Sequence, residues 1–226
     1  RRSTCALSDE PESRATFDRL RTNIYEPKVN NWLSGRPDSR ERTALVSLAW
    51  NQKDSSPLLG DKLKAAVVNG DRAEAWYEIR YNSNSASQAQ NIRNGIAKRR
   101  YFEADTFGLY NNAAANNDED AKGAFRTYTR HRPAIDSYEK EFGAQVALAN
   151  SDYNTTVAQT RPTWFQPART YLIAQYITAP NLGINITGDI LVGEDNGTTV
   201  GDINTLYYRG TDNDVLIGHD TTPTRT

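Results

Sequence analysis

The sequence predicts an α+β protein that is mainly α, in which a helical lobe is followed by a small β-rich C-terminal region. Apolar residues recur at helical spacing, between capping and breaking signals, over residues 13–110. After Pro180 the composition shifts to Gly, Asp, Thr, Ile and Val, and two segments of this region repeat each other. We therefore divide the chain into a helical lobe (residues 1–112), a helical extension (113–180) and a β-rich tail (181–226).

The first half of the lobe has explicit signals for two helices. A first helix is expected over residues 13–30, with Phe17 on its apolar face, before a Gly-Arg-Pro break at residues 35–37. The next helix should start at Asp38, whose side chain can accept a hydrogen bond from a free backbone N–H of the first turn. The glutamate three residues later can in return accept from the backbone N–H of Asp38. Apolar residues at three-to-four spacing then predict that this helix is buried and ends near Asn51.

Two shorter helices follow, joined by a glycine turn. Asp61 is expected to cap the first of them, and Gly70 to close it in the left-handed conformation that glycine adopts at helix ends. Asp71 and Glu74 repeat the capping pattern and open the second helix. After a polar loop, residues 94–110 again have helical spacing.

The extension carries fewer signals. Residues 111–120 are polar and alanine-rich, which indicates a linker. Pro133 is expected at the first position of a helix, where its missing N–H costs nothing. The apolar run at residues 171–177 fits a helix or a buried strand, because spacing alone does not separate the two.

The amino-acid composition argues against several classes of function. With 27 basic and 28 acidic residues, the net charge gives no support to a nucleic-acid partner. No apolar run is long enough to cross a bilayer, so no membrane span is expected. Cys5 is the only cysteine, which excludes an internal disulfide and a Cys-based zinc site. The absence of methionine indicates a piece of a longer protein.

Three stretches of the lobe occur in a recognisable order. The first is the buried helix that ends in Trp50-Asn51, and the second is a short helix, a Gly70-Asp71 turn and a following helix. The third, residues 95–103, has the pattern Gly-apolar-x-x-Arg-Arg-x-x-Glu. Together they resemble the helical lobe of phage-type lysozymes, glycoside hydrolase family 24, over roughly residues 13–110. The resemblance implies a lysozyme-like lobe, peptidoglycan glycan strands as substrate, and a place for Asn51 in the glycan groove.

Two of these features also have simpler interpretations. Arg99 and Arg100 lie four and three residues before Glu103, so both can form an ion pair with it on a solvated helix surface. That interpretation is favoured over a catalytic role for Glu103. Asn51 can either bind the last carbonyls of its helix or face a cleft and bind a sugar amide. On physical grounds these two roles for Asn51 remain equal.

The catalytic acid that such a lysozyme needs is not evident. Glycoside hydrolysis requires a protonated carboxyl as proton donor. In the family it comes from an N-terminal Glu-Gly segment followed by a β-hairpin, and the residues before Ala44 contain neither. Glu10 and Glu12 are weak candidates, because they lie in what reads as an exposed helix cap. The acid is therefore expected outside this chain, in an upstream segment or a partner chain.

The tail contains a repeat. Residues 188–195 match residues 213–220 at a spacing of 25 residues. The second copy resembles the calcium-binding nonapeptide of repeats-in-toxin proteins, which implies oxygen ligands for Ca²⁺ and export from the cell. A metal-free antiparallel hairpin explains the second copy equally well. The candidate ligands are Asp189, Asp195, Asp212, Asp214 and Asp220.

The sequence supports three hypotheses about function. The leading one is part of a secreted bacterial peptidoglycan hydrolase of the lysozyme type, completed by an acid from elsewhere. The second is a non-catalytic module that binds cell-wall glycan. The third is a structural domain of a calcium-dependent exported protein. All three place the protein outside the cytoplasm, either extracellular or delivered to the periplasm, with Ca²⁺ as the one expected cofactor. Whether this chain is itself an enzyme stays open.

Overall fold

The computed structural model describes most of the chain up to residue 142 and shorter stretches beyond it. The described residues are 9–33, 39–51, 59–84, 88–112, 117–142, 153–154, 161–162, 164, 166–178, 180, 190–192 and 215–217. Helices account for most of them. Their bounds are α1 Glu10–Leu20, α2 Glu26–Val29, α3 Arg40–Trp50, α4 Asp61–Val68, α5 Arg72–Arg80, α6 Gln90–Phe107, α7 Asp118–Phe142 and α8 Gln166–Ile173, with π-helical segments at Arg21–Tyr25 and Ala174–Thr178.

Local capping chemistry sets several helix starts. The cap of α3 is Ser39, whose hydroxyl accepts from the N–H of Arg42 at 3.2 Å; the expected cap Asp38 lies outside the described residues. Asp71 caps α5 by accepting from the N–H of Glu74 at 3.1 Å, as the sequence predicts. Gly70 has a φ of 76°, which confirms the predicted left-handed end of α4.

One hydrophobic core joins the lobe to the extension. Its centre is the packing of α3, α5 and α6, where Leu45, Leu48 and Ile79 are fully buried. Phe125 on α7 and Leu172 on α8 belong to the same cluster. The helical extension therefore completes the core of the lobe.

Helix α7 differs from the sequence prediction, which placed a linker at residues 111–120 and the start of a helix at Pro133. It runs without interruption from Asp118 to Phe142, so Pro133 lies inside the helix and not at its first position. Buried residues on both sides of the proline, Tyr128 and Ile135 among them, hold the helix against the core. This burial outweighs the backbone hydrogen bond that proline removes. The run at residues 171–177, left open above, is helical.

The predicted α+β class with a β-rich C-terminal region is wrong. The described residues are mainly helical, and the strands among them have two or three residues each. The first pair is β1 (Tyr153–Asn154) with β2 (Arg161–Pro162), antiparallel, and the second is β3 (Ile190–Val192) with β4 (Val215–Ile217), parallel. Two-stranded pairs this short are marginal alone, so the described residues give no β-rich unit beside the helices.

The parallel pairing of β3 and β4 brings the two copies of the repeat side by side. Ile190 lies opposite Val215, and Val192 lies opposite Ile217. The register between the strands equals the spacing of the sequence repeat. The antiparallel hairpin considered as the metal-free alternative would have its turn at residues 211–214, which lie outside the described residues.

Candidate functional site

A groove runs along α3, between the α1 end of the molecule and α6; we call it the α3 groove. Its volume is about 600 Å³. The residues that line it are apolar, basic, acidic or hydroxyl-bearing. In that order they are Phe17, Val46 and Trp50; Arg21, Arg40, Arg42 and Arg99; Glu26; and Ser39, Thr43 and Ser47.

Three aromatic rings meet at the C-terminal end of α3. The ring of Trp50 lies 5.0 Å from that of Phe17 and 4.5 Å from that of Tyr25, measured between centroids. Phe17 remains 49% exposed, although its position on the apolar face of the first helix predicts burial. The groove therefore has an accessible aromatic end beside Asn51.

Arginines dominate the polar lining of the α3 groove. Arg21 donates to Glu26, and Arg42 lies 3.4 Å from the other carboxylate oxygen of Glu26. Arg42 also donates to the side-chain oxygen of Asn30 at 2.5 Å. The other lining arginines are paired as well: Arg40 lies 3.8 Å from Glu41 and Arg99 lies 3.0 Å from Glu103, while Arg21 is also 3.5 Å from Asp18. The groove is therefore lined by arginines whose charges are balanced by neighbouring carboxylates.

Ser47, Arg99 and Glu103 form a polar bridge between α3 and α6. The Ser47 hydroxyl donates to Glu103 Oε1 at 2.7 Å, and Arg99 Nε donates to the same oxygen at 3.0 Å. Arg100 donates to the other oxygen. Glu103 and Arg100 are buried, so the ion pair expected on a solvated surface lies mainly inside the protein. The packing of α3 on α6, which local spacing does not reveal, accounts for the difference.

A shallower depression continues the groove past Arg99. It has a volume of about 430 Å³ and shares Thr43, Ser47 and Arg99 with the α3 groove. Phe102, which is 53% exposed, lies on this side. The two concave surfaces together follow α3 along its length.

Asn51 is the predicted site residue that comes nearest to this site: it follows Trp50, which lines the groove, but it is not itself a lining residue. It is the C-cap residue of α3, and its side-chain nitrogen donates to the carbonyl of Ser47 at 3.3 Å. Its side-chain oxygen has no hydrogen-bond partner within the described ranges. Asn51 therefore makes the capping contact and also has a side-chain oxygen next to Trp50 that can accept a further hydrogen bond.

The remaining predicted site residues lie elsewhere. Glu10 and Glu12 lie on exposed turns of α1, and Glu10 is 3.5 Å from Arg14 with its side chain 85% exposed. Neither lines the α3 groove. All five candidate calcium ligands of the tail lie outside the described residues. Within the part of the chain that is described, no group of three or more His, Cys, Asp or Glu could hold a metal ion.

Carboxyl groups deeper in the fold are held in the ionised form. Burial alone would raise the pKa of Glu41, but hydrogen bonds and the charge of Arg72 outweigh it and lower the pKa. The pKa of Glu74 is lowered in the same way, against its burial, by His131 and Arg130. These groups act as anchors between helices and not as proton donors.

A second concave surface lies between α5 and α7, with a volume of about 530 Å³. Arg72 crosses its floor, where it binds Glu41, the side-chain oxygen of Asn111 at 2.9 Å and the carbonyl of Phe107 at 3.1 Å. These contacts use Arg72 to join α3, α5 and the end of α6. We therefore regard this surface as structural.

The class that these features define is a helical protein with an arginine-lined groove that ends in aromatic residues. Among the described helices, none combines the length and apolar character needed to cross a membrane. Family models, curated proteins and solved structures yield no match to this chain. The sequence named Asn51 as a candidate and gave Arg99 and Glu103 only as an ion pair. It gave no signal for Arg42, because the contact of Arg42 with Glu26 depends on how separate helices pack.

Proposed function

We propose that this chain is the helical lobe of a lysozyme-like protein that acts on peptidoglycan, and that it supplies a wall of the glycan site. One observation carries the proposal. The two helices with the most specific resembling stretches, α3 and α6, are neighbours, and the residues of those stretches join them through the bridge of Ser47, Arg99 and Glu103. This contact between the two stretches supports the resemblance.

The end of α3 has the chemistry that a sugar ring requires. Binding sites for small molecules combine apolar and aromatic surface with a few placed polar groups. The rings of Phe17, Tyr25 and Trp50 together offer aromatic surface, and Asn51 offers an amide oxygen that can accept from the N–H of an N-acetyl group. A glycan strand is therefore expected to pass this end of the groove.

The acid is expected from elsewhere because the carboxylates near the groove are unsuited to donate a proton. Glu26 and Glu103 each contact two arginines, so both carboxylates are already engaged in ion pairs that connect helices. Glu10 and Glu12 are exposed on α1, away from the lining residues. The chain alone is proposed to bind glycan without cleaving it.

Retention on purified peptidoglycan sacculi tests this function. We expect the chain to sediment with the sacculi, and Asn51→Ala to weaken retention because it removes the free amide oxygen. Ile92→Ala, which truncates an exposed apolar residue outside the groove, is the matched control. Equal retention of all three proteins, or clearing of the sacculi by this chain alone, would contradict the proposal.

A second candidate role concerns the tail. The register of β3 and β4 matches the sequence repeat, which favours a repeat with structural meaning over chance similarity. We propose that its aspartates bind Ca²⁺ in an exported protein. Melting should then occur at a higher temperature with Ca²⁺ than with a chelator, because a ligand that binds only the folded state stabilises it. An identical melting temperature in both conditions would exclude this role.

A further inference from the structure

The dipeptide Asn-Gly lies in two different backbone settings within the described residues. Asn69-Gly70 forms the turn between α4 and α5, where Asn69 is the C-cap residue of α4. Asn94-Gly95 lies inside α6. A third copy, Asn196-Gly197, lies outside the described residues. The two described copies share the same reactive dipeptide and differ in their structural setting, so they form a matched pair.

An asparagine followed by glycine can react with its own backbone. The glycine nitrogen attacks Cγ of the asparagine side chain, which forms a new C–N bond and closes a five-membered succinimide ring. The bond from Cγ to the side-chain nitrogen breaks, and this nitrogen leaves as ammonia with the proton of the glycine N–H. One water molecule then opens the ring at either carbonyl, giving aspartate or isoaspartate. Glycine favours the attack because it has no side chain and its backbone rotates most freely.

The side chain of Asn69 is open to this reaction. Asn69 and Gly70 are both exposed, and both lie at the concave surface between α5 and α7. The Asn69 amide has no hydrogen-bond partner in the part of the chain that the structure describes. No atom lies within 4 Å of the position that a Cβ on Gly70 would occupy. Water can therefore reach the turn, and no neighbouring group holds the amide away from the backbone.

The turn also holds the attacking nitrogen loosely. The Gly70 N–H donates to the carbonyl of Val67 at 3.3 Å, whereas the N–H groups of Asn69 and Asp71 donate to α4 at 2.9 Å. A distance of 3.3 Å lies beyond the usual range for N–H···O bonds, so this bond is weak. Rotation about ψ of Asn69, which is −5°, and about its χ1 brings the Gly70 nitrogen towards Cγ.

Asn94 lacks this freedom. Its side-chain oxygen accepts from Gln90 Nε2 at 3.0 Å, and the residue is only partly exposed. Helix α6 continues on both sides of Asn94-Gly95, and the regular backbone hydrogen bonds of a helix fix the dihedral angles there. The Gly95 nitrogen can reach Cγ of Asn94 only when α6 opens locally, which costs free energy.

We propose that Asn69 is a site of spontaneous deamidation, and that the reaction alters the turn between α4 and α5 as the protein ages. The new carboxylate lies at the C-terminal end of α4, where the helix dipole disfavours negative charge. In the isoaspartate product the backbone is one methylene longer, which changes the geometry of the hydrogen bonds that close the turn. Both products therefore weaken the connection between α4 and α5.

Peptide mapping by mass spectrometry tests the site, after the whole chain has been incubated in a mildly alkaline buffer at physiological temperature. We expect the peptide that contains Asn69 to gain the mass difference between an amide and a carboxyl, with part of the product labelled by an isoaspartate-specific methyltransferase. In the folded protein, conversion at Asn69 should be faster than at Asn94 by more than about tenfold. In urea, where neither turn nor helix persists, the two asparagines should convert at comparable rates.

Two variants separate this reaction from other changes during incubation. Asn69→Gln keeps an amide but would have to form a larger ring, so position 69 should not change and the melting temperature should fall less during incubation than that of the wild type. Asn69→Asp carries the charge from the start and should melt at a lower temperature than fresh wild type.

Three results would overturn the proposal. The first is an unchanged Asn69 in the folded protein after Asn94 has converted in urea. The second is equal conversion at Asn69 and Asn94 in the folded protein, which would remove the role of the structure. The third is a fall in melting temperature during incubation that is as large in Asn69→Gln as in the wild type.

Discussion

Glu139 on α7 is the most enclosed carboxylate of the described core. Its side chain is fully buried and accepts from the hydroxyls of Tyr81 at 2.7 Å and Tyr101 at 2.5 Å. Arg80, itself 1% exposed, lies 3.4 Å from it and stacks over the ring of Tyr101 at 3.7 Å. Burial raises the pKa of Tyr81 well above its usual value, so its hydroxyl remains a donor. The cluster joins α5, α6 and α7.

Removing this carboxylate should be costly. We expect Glu139→Ala to lower the free energy of unfolding by about 3–5 kcal/mol, because Arg80 and the hydroxyls of Tyr81 and Tyr101 would all lose a buried carboxylate that they contact. Glu139→Gln keeps an acceptor and should cost less. Urea denaturation followed by circular dichroism measures both, with exposed Glu119→Ala on the same helix as control. A loss for Glu139→Ala no larger than that of the control would disprove the role of the cluster.

Some contacts of individual residues could be predicted from the sequence, and others could not. The partners of Glu103 on its own helix could be predicted from their spacing of three and four residues. Ser47, its partner on α3, is 56 positions away, and Arg80 is 59 positions from Glu139. Contacts at such separations depend on how helices pack, which no local pattern encodes.

Helix boundaries were largely predictable because capping is local. Asp71 and Gly70 have their predicted roles at the turn between α4 and α5. Pro133 was misplaced because a proline favours a helix start only when no tertiary burial continues the helix past it. The exposed side of Phe17 could not be foreseen either, since periodicity identifies an apolar face but not whether another helix covers it.

Two glycines in different backbone conformations give a matched test of the helical elements. Neither Gly70 nor Gly95 has a neighbouring atom within 4 Å of an added Cβ, so backbone conformation alone decides the effect of alanine. Gly70→Ala should destabilise by about 1–2 kcal/mol, because its φ of 76° is unfavourable for L-residues. Gly95→Ala, inside α6, should stabilise by about 0.5–1 kcal/mol.

Thermal unfolding of the two glycine variants provides the measurement. Their melting temperatures should move in opposite directions from that of the wild type. A shift of the same sign in both would show that the turn at Gly70 or the middle of α6 differs from the conformation described. The comparison controls for side-chain volume, since each variant adds one methyl group.

At the scale of the molecule, α7 joins the lobe to the extension. Glu74 on α5 accepts from Arg130 at 2.8 Å and lies 2.8 Å from the ring nitrogen of His131, both on α7. The His131 ring also stacks on Tyr77 at 3.7 Å. This polar contact lies on the surface side of the single core that both regions share.

Acid should weaken this connection between α5 and α7. The folded-state pKa of Glu74 lies below its ordinary value of 4.5, so its ionised form contributes stability above pH 4.5. That contribution is lost as pH falls through the lower folded-state pKa. We expect Glu74→Gln to be less stable than the wild type by about 1 kcal/mol near neutral pH, with the difference shrinking below pH 4.5. Urea denaturation across this pH range measures the difference in the free energy of unfolding between the two proteins. A difference that grows as the pH falls would show that the ionised form of Glu74 does not stabilise the fold.

The site as a whole was less predictable than the helices around it. The sequence resemblance pointed to Asn51, which follows the groove residue Trp50, whereas Arg99 was interpreted as an ion-pair partner of Glu103 and proves to line the groove. The arginines of the groove come from three separate elements, including Arg21 and Arg42. Net charge of the chain, which is −1, gives no sign that these arginines lie together.

The aromatic stack at the end of α3 gives the molecule a natural optical reporter. Trp50 is half-buried between Phe17 and Tyr25, whereas Trp76 is 2% exposed within the core. A ligand that covers the groove must change the solvent around the indole of Trp50 while leaving that of Trp76 unchanged. Intrinsic emission can therefore follow occupancy of the groove in the unlabelled protein, and replacing Trp50 by phenylalanine would silence that signal.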